Sequence, residues 1–292
     1  MDSTMAAEDR ELEDCWGDLQ PPPRAQPLTA KWHPPPRPDV EEWVETLGQG
    51  QSPILTVKGP SPMHRMEVYR WICPLAEGDP CKGVADWVGD PWAYLVNRLA
   101  GFKLGTWNLL WELLDVPEFV VEEPLRGLVD QGFLFTEFYQ ALWEARFLLQ
   151  ESAPRVENLV EALIRWMTWT ELSSEDRKLL GTLRLSRPLQ SDEERLDTLF
   201  FLLALARQNG TVGPAVIVFD DIDLALRQGV ETRRQLLTKL LKLISAVERW
   251  DRLGMALGLV LGVSPGVLTS LKRYNPKLGK KISGGLIPQL RT

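Results

Sequence analysis

The sequence predicts an α/β protein with a parallel sheet, and three largely apolar runs lead to this prediction. They cover residues 54–58, 214–219 and 255–263. A strand that is apolar at successive positions is buried on both faces, as in parallel sheets covered by helices. This pattern is clearest at 214–219, which we expect to be a central strand. Apolar residues recur at helical spacing through much of the chain between the runs, so helices should cover the sheet.

The other elements follow from periodicity, caps and breakers. Ser191 with Glu194 forms a capping box before one helix, and Asn209-Gly210 ends that helix. The remaining pattern predicts a loop at 73–91. It also predicts short strands at 118–122 and 286–290, and helices at 39–47, 66–72, 92–114, 125–150, 155–170, 196–207 and 232–250.

Composition is that of a soluble globular protein, with 44% hydrophobic and 25% charged residues among 292. The longest nearly uncharged apolar stretch, 253–263, is shorter than the about 20 residues that cross a bilayer. The first thirty residues are acidic and lack the apolar segment of a secretory signal. We expect a cytoplasmic protein that does not contact membranes.

Cysteine and histidine are too few and too scattered to suggest a zinc site or a nucleophilic catalytic centre. The chain has three cysteines and two histidines. Cys15, Cys73 and Cys81 show no paired spacing, and His33 lies in a proline-rich segment. Only His64 lies in a stretch that resembles a binding loop.

Residues 1–38 are predicted to be a disordered acidic tail, and residues 39–292 a single domain. The tail contains tryptophan followed by Pro-Pro-Pro-Arg twice, which suits either a docking segment or a spacer. At the other end, residues 270–292 carry six basic residues and no acid. This segment is either a solvated surface or a contact for phosphate or an acidic partner. The net charge of −7 argues against a whole-surface grip on nucleic acid.

Residues 59–66 have the length of the phosphate-binding loop G-x-x-x-x-G-K-[ST]. Gly59 is the only required residue present. His64, Arg65 and Met66 occupy the positions of the second glycine, the lysine and the magnesium-binding hydroxyl. The alternative is an ordinary turn after a strand.

The apolar run at 214–219 ends in Asp220 and Asp221. Ionised carboxylates are costly in a core, so both should emerge at the carboxyl end of the strand, where open α/β sheets bind ligands. This has the form of a Walker B element. In a working site the first carboxylate helps to hold magnesium and the second polarises the attacking water. A buried strand that runs into an acidic turn is the simpler alternative.

Together, the Gly59 loop, the acidic strand, the following amphipathic helix and the strand ending in Leu-Gly-Val-Ser-Pro resemble the P-loop ATPases of the AAA+ class. Residues 199–266 look most like origin-recognition-type ATPases and the ATPases of BREX phage-defence systems. The resemblance implies a P-loop NTPase-like core with a large helical insertion at about 92–195. In a departure from the family, we expect no C-terminal helical lid, because the last predicted strand leaves no room for one. The resemblance also places Ser264 at the sensor-1 position and Arg273 as an arginine finger that acts in trans.

The same resemblance assigns Gly59, His64 and Arg65 to a degenerate nucleotide-binding loop, Asp220 to a vestigial magnesium site and Asp221 to a vestigial catalytic position. Arginine does not replace the loop lysine, and Pro60 and Pro62 remove backbone N–H groups that would face phosphate.

We therefore expect a catalytically inactive AAA+-like subunit, a pseudo-ATPase, with no cofactor. It would act as an interaction platform in a nucleic-acid-associated assembly of the phage-defence, replication or transposition type. Its protein partner would be an ATPase or a nucleic-acid-processing protein, with an indirect or weak nucleic-acid contact through 270–292.

Two alternatives remain open. One is a divergent ATPase that binds ATP and magnesium, with Lys58 or Arg65 supplying the positive charge. The other is an α/β adaptor unrelated to nucleotides.

Overall fold

The computed structural model describes residues 38–59, 65–66, 68–69, 72, 88, 90–92, 94–95, 109–116, 118–149, 153–167, 171–185 and 187–283. The elements up to the second strand are α1 (Pro38–Gly48), β1 (Ile54–Lys58), α2 (Leu109–Leu114), α3 (Leu125–Gln131), α4 (Phe133–Leu149), α5 (Ala153–Met167), α6 (Ser174–Thr182), α7 (Asp192–Gln208) and β2 (Ala215–Phe219). They are followed by α8 (Asp223–Arg227), α9 (Val230–Trp250), a 3₁₀ turn (Asp251–Leu253), β3 (Leu257–Val263), α10 (Val267–Tyr274) and α11 (Pro276–Ser283).

The three described strands form a parallel sheet in the order β1-β3-β2. Ile54 pairs with Leu259 on one side of β3, and Ile217 pairs with the same residue on the other. All seven residues of β3 are buried, because this strand has a neighbour on each edge and helices on each face. The protein is thus mixed α/β, with a small parallel sheet and mostly helical surroundings.

Each face of the sheet has its own apolar layer. Val216 and Val218 of β2 pack in a cluster with α1 and with the helical residues near 68–72. Ile217 and Phe219, which point the other way, belong to a larger cluster that includes α2 to α7 and α9. The alternation along the strand follows from its period of two. A strand this apolar therefore needs helices on both faces.

The prediction that 214–219 forms a central strand is wrong within the described part of the sheet, where β3 is central and β2 is at one end. Burial on both faces misled the sequence reading. Helices cover both faces of β2, and the hydroxyl of Tyr94 also donates to the Val218 carbonyl at 3.2 Å. Face burial is therefore a poor guide to strand order.

The predicted strand at 118–122 is also wrong, because this segment has no strand conformation. Side chains at the end of α7 bind its backbone instead. Asn209 accepts from the Val120 amide at 2.7 Å and donates to the Val120 carbonyl at 3.0 Å. Gln208 accepts from the Glu122 amide at 3.1 Å. Since backbone groups need partners of any kind, these two side chains replace the ladder of a sheet.

Most helix predictions are confirmed within the residues that the structure describes. The region assigned to the insertion contains α2 to α6, and the predicted helix at 125–150 is two helices with Gly132 between them. Ser191 caps α7 by accepting from the Glu194 amide, as predicted. The Glu194 carboxylate, however, pairs with Arg187 and accepts from the Gln190 amide. Residues 1–37 and the predicted strand at 286–290 lie outside the described residues, as does most of the loop at 73–91.

Among the helices that the structure describes, none combines the length and the apolar composition that crossing a membrane requires.

The close contact between Gly258 of β3 and Trp43 of α1 gives a test of this packing. A Cβ at Gly258 would lie 2.5 Å from Trp43 Cζ2 and 2.7 Å from Trp43 Cη2. Gly258→Ala should lower the free energy of unfolding by about 1–3 kcal/mol, measured by urea denaturation, because overpacking a core costs this much. Gly213→Ala is the matched control, since a Cβ there meets nothing within 4 Å. Equal stability of the two variants would contradict the packing.

Candidate functional site: a buried arginine at the carboxyl edge of the sheet

The carboxyl ends of the three strands bring the candidate residues together. Gly59 follows β1, Asp220 follows β2 and Ser264 follows β3. Because β3 lies between the other two strands, these ends are adjacent at one edge of the sheet. Ligands of open α/β sheets bind at such an edge.

Arg65 is the centre of this site. It lies in the helical residues that follow β1, and its side chain is fully buried. Its Nε donates to Asp220 Oδ1 at 2.5 Å, and its Nη1 donates to the Gly59 carbonyl at 2.7 Å. Its Nη2 lies 3.4 Å from Asp221 Oδ1. All three guanidinium nitrogens are therefore engaged by groups from the ends of β1 and β2.

Tyr69 completes the environment of Asp220. Its hydroxyl donates to Asp220 Oδ1 at 2.6 Å, and both residues are buried. Beneath them lies Gly262 of β3, where a Cβ would overlap the Asp220 carboxylate and the Tyr69 hydroxyl. Gly262 therefore leaves the space in which a charged pair lies against the middle of the sheet.

The electrostatics of the cluster hold Arg65 charged. Burial acts to lower the pKa of Arg65, but the hydrogen bond and negative charge of Asp220 outweigh it and leave that pKa raised. Burial, together with the charge of Asp220, raises the pKa of Tyr69 well above its usual range. At neutral pH the Arg65 guanidinium is therefore charged and the Tyr69 phenol is neutral.

Asp221 is the more accessible of the two carboxylates, with a side chain 25% exposed. Its backbone has a φ of 56°, the left-handed conformation that aspartate tolerates better than most residues. Burial raises the pKa of Asp221 above its usual value, against the lowering effect of Arg65, and the nearby charge of Asp223 adds to the rise.

Ser264 is bound to a third carboxylate. Its amide donates to Asp223 Oδ1 at 3.1 Å, and its hydroxyl donates to Asp223 Oδ2. This pair of bonds fixes the end of β3 to the first turn of α8. The hydroxyl proton at the predicted sensor-1 position is therefore directed to Asp223 rather than to Asp221.

The structure brings together four of the predicted site residues, namely Gly59, Arg65, Asp220 and Asp221. The expectation that both carboxylates would emerge from the core holds only for Asp221, because Asp220 is buried and paired. Arg273 is exposed near the end of α10, and its role in trans stays a prediction. His64 lies outside the described residues, as do the prolines at 60 and 62.

Tyr69 and Asp223 are the site residues that the sequence reading missed. Tyr69 is four residues after Arg65, the spacing that places two side chains on one face of a helix. Asp223 is the third acid in the run that begins at Asp220. The sequence contains both features, but neither predicts that Tyr69 binds Asp220 or that Asp223 binds Ser264.

The arrangement neutralises internally the carboxylate that would bind a metal ion. A magnesium ion in a working site binds carboxylate oxygens and bridges them to phosphate. Here the Nε of Arg65 is at hydrogen-bond distance from Asp220. Within the described residues, no group of three or more histidine, cysteine, aspartate or glutamate side chains is arranged to hold a metal ion.

No family model, curated protein sequence or solved structure matches this chain. The chemistry of the cluster and the resemblance of its motifs are therefore the grounds for a functional proposal.

The buried pair predicts a large loss of stability when one partner is removed. Arg65→Met should lower the free energy of unfolding by about 3–5 kcal/mol, because Asp220 then remains buried without a counter-charge. Arg65→Met with Asp220→Asn should lose less than the sum of the single changes in urea denaturation.

Arg184→Met is the matched control for this experiment. Arg184 is 81% exposed and lies 3.7 Å from Glu144, and such exposed pairs contribute about 1 kcal/mol or less. Additive losses at Arg65 and Asp220 would show that the two side chains do not interact.

The raised pKa of Asp221 predicts that Asp221→Asn increases the free energy of unfolding by an amount that depends on pH. Because the folded-state pKa lies above the unfolded value of about 3.9, ionisation of Asp221 costs stability as pH rises through this window. The advantage of the variant over the wild type should grow from pH 4 towards neutral pH and then level off, measured by urea unfolding. The difference at low pH separates out any effect of asparagine on the left-handed backbone. A difference that did not change with pH would contradict the prediction.

Proposed function

We propose that this protein is a pseudo-ATPase: an AAA+-like subunit that serves as an interaction platform and does not hydrolyse nucleotide. The engagement of Arg65 carries this proposal. At the position of the loop lysine, a fully buried guanidinium binds the first acidic residue of the Walker B-like strand. An internal ion pair thereby replaces the contacts that lysine and magnesium make with phosphate in a working site.

The geometry of Arg65 disfavours phosphate binding. Each of its nitrogens already donates to, or lies near, an oxygen of Asp220, Gly59 or Asp221. Because the Arg65 side chain is fully buried, a phosphate group could reach its remaining N–H donors only if Arg65 or its neighbours moved. Moving Arg65 away from Asp220 would take a buried guanidinium away from a buried carboxylate, a change that costs about 3–5 kcal/mol in comparable pairs.

Under the divergent-ATPase alternative, ATP binding through Arg65 would require magnesium. If phosphate draws Arg65 away, another cation must neutralise Asp220, and magnesium is the cation that accompanies ATP. Nucleotide binding in which Arg65, rather than Lys58, supplies the positive charge is therefore strictly magnesium-dependent and needs Arg65. Neither requirement applies to a platform, in which Arg65 stays paired with Asp220.

The platform role is proposed because the strands resemble those of a P-loop ATPase, whereas the residues at the loop positions do not. The three described strands, which end next to Gly59, Asp220 and Ser264, form one parallel sheet. Under this proposal the protein partner supplies the catalytic work, as an ATPase or a nucleic-acid-processing protein, and this subunit supplies shape. The exposed Arg273 is available to complete a site on that partner.

Isothermal titration with ATP and magnesium tests the proposal directly. We expect no binding heat at protein concentrations sufficient to detect a dissociation constant of about 100 μM, equivalent to about 5.5 kcal/mol. Circular dichroism of the same sample controls for folding, and ATP with a chelator controls for magnesium. Magnesium-dependent binding that is lost in Arg65→Ala would overturn the proposal, as would ATP hydrolysis that is lost in Asp221→Asn.

A further inference from the structure

A groove of about 930 Å³ opens beside the amino-terminal end of β1, at the opposite end of this strand from Gly59. Helices α7, α9 and α11 form its walls. Helix α11 is hydrogen-bonded to β1, because the Thr56 hydroxyl donates to the Ile282 carbonyl at 3.1 Å. The groove is therefore built on the sheet and on two long helices.

The floor and the rim of this groove differ in chemistry. Apolar side chains line the floor: Ile54, Leu196, Leu241 and Ala246. Five bases line the rim against two acids, Glu193 and Glu248: Lys242, Arg249, Lys277, Lys280 and Lys281. Lys242 pairs with Glu193, Lys281 with Glu248, and Arg249 with Asp197 beside the groove. The lining still has five basic and two acidic side chains, on a protein whose net charge is −7.

We infer that this groove binds an acidic amphipathic helix of a protein partner. A helix that enters a groove places apolar residues spaced three and four apart on the floor and its polar residues at the edges. The basic rim suits glutamate and aspartate at those edges, where complementary charge guides association and fixes register. Lys277 and Lys280 are exposed on α11 and supply this charge.

The lining favours a protein helix over nucleic acid. Contacts to phosphate need positive charge but no apolar floor. A nucleic-acid strand would therefore leave the side chains of Leu241 and Ile54 uncovered. Glu193 and Glu248 are already paired with Lys242 and Lys281, so the apolar floor is the feature that distinguishes the two kinds of ligand.

The inference goes beyond the pseudo-ATPase proposal and does not depend on it. Changes in the groove leave the Arg65 cluster untouched, because the two lie at opposite ends of β1. The outcome of the nucleotide titration therefore has no bearing on peptide binding, and either proposal can fail while the other stands.

A displayed library of random helix-length peptides, selected on the full-length chain, provides the test. We expect the enriched peptides to be acidic and to carry apolar residues at helical spacing. Fluorescence anisotropy with the best peptide should then show about tenfold or greater weakening for Lys277→Glu with Lys280→Glu, and for Ser245→Trp, which fills the groove from an exposed position on its lining.

The matched control is Lys178→Glu with Arg234→Glu, an equal charge reversal at exposed positions outside the groove, which should leave affinity unchanged. Enrichment of neutral or basic peptides would overturn the inference, and so would binding that survives Ser245→Trp. Single-stranded or duplex DNA that displaces the peptide, and binds equally well to Ser245→Trp, would assign the surface to nucleic acid instead. Sedimentation that showed dimers lost in Ser245→Trp would assign it to a second copy of the chain.

Discussion

The ion pair between Arg65 and Asp220 is the interaction on which the carboxyl edge of the sheet depends. It joins the segment after β1 to the end of β2 across 155 residues of sequence, above the central strand. A buried charge pair contributes stability only when its geometry is good and its remaining donors are satisfied. Tyr69 and the Gly59 carbonyl meet that requirement here. Groups of the protein therefore satisfy both members of the ion pair at this end of the sheet.

A second, independent connection secures the same edge. Asp223 binds both the amide and the hydroxyl of Ser264, which ties α8 to the end of β3. Asp221 lies between the two connections in a left-handed backbone conformation, and it remains partly exposed. Three successive acids of one turn are therefore used differently: the first is paired with a guanidinium, the second faces solvent in part, and the third anchors a strand end.

The sequence was sufficient to predict the α/β class, the bounds of β1, the bounds of β2 to within one residue, and that Gly59, Arg65, Asp220 and Asp221 lie close together. Period and burial are local signals, and parallel strands bring their carboxyl ends together without further information. Strand order was not predictable, because β2 is buried on both faces by helices. The segment at 118–122 was misread because its backbone partners are Asn209 and Gln208, almost ninety residues away in sequence. Hydrogen bonds between residues so far apart in the chain produce no periodic pattern in the sequence.

The glycines of β3 have a further consequence for how the chain finds one alignment of its strands. A strand that is apolar at every position carries no polarity signal to distinguish one register from another. Gly258 and Gly262 supply that signal through shape, because they lie four residues apart on one face, opposite Trp43 in one case and Asp220 with Tyr69 in the other. If β3 slipped by one residue, Leu257 and Leu261, or Leu259 and Val263, would meet these bulky groups. The absence of side chains at Gly258 and Gly262 thus selects one register, whereas hydrophobicity alone would allow several.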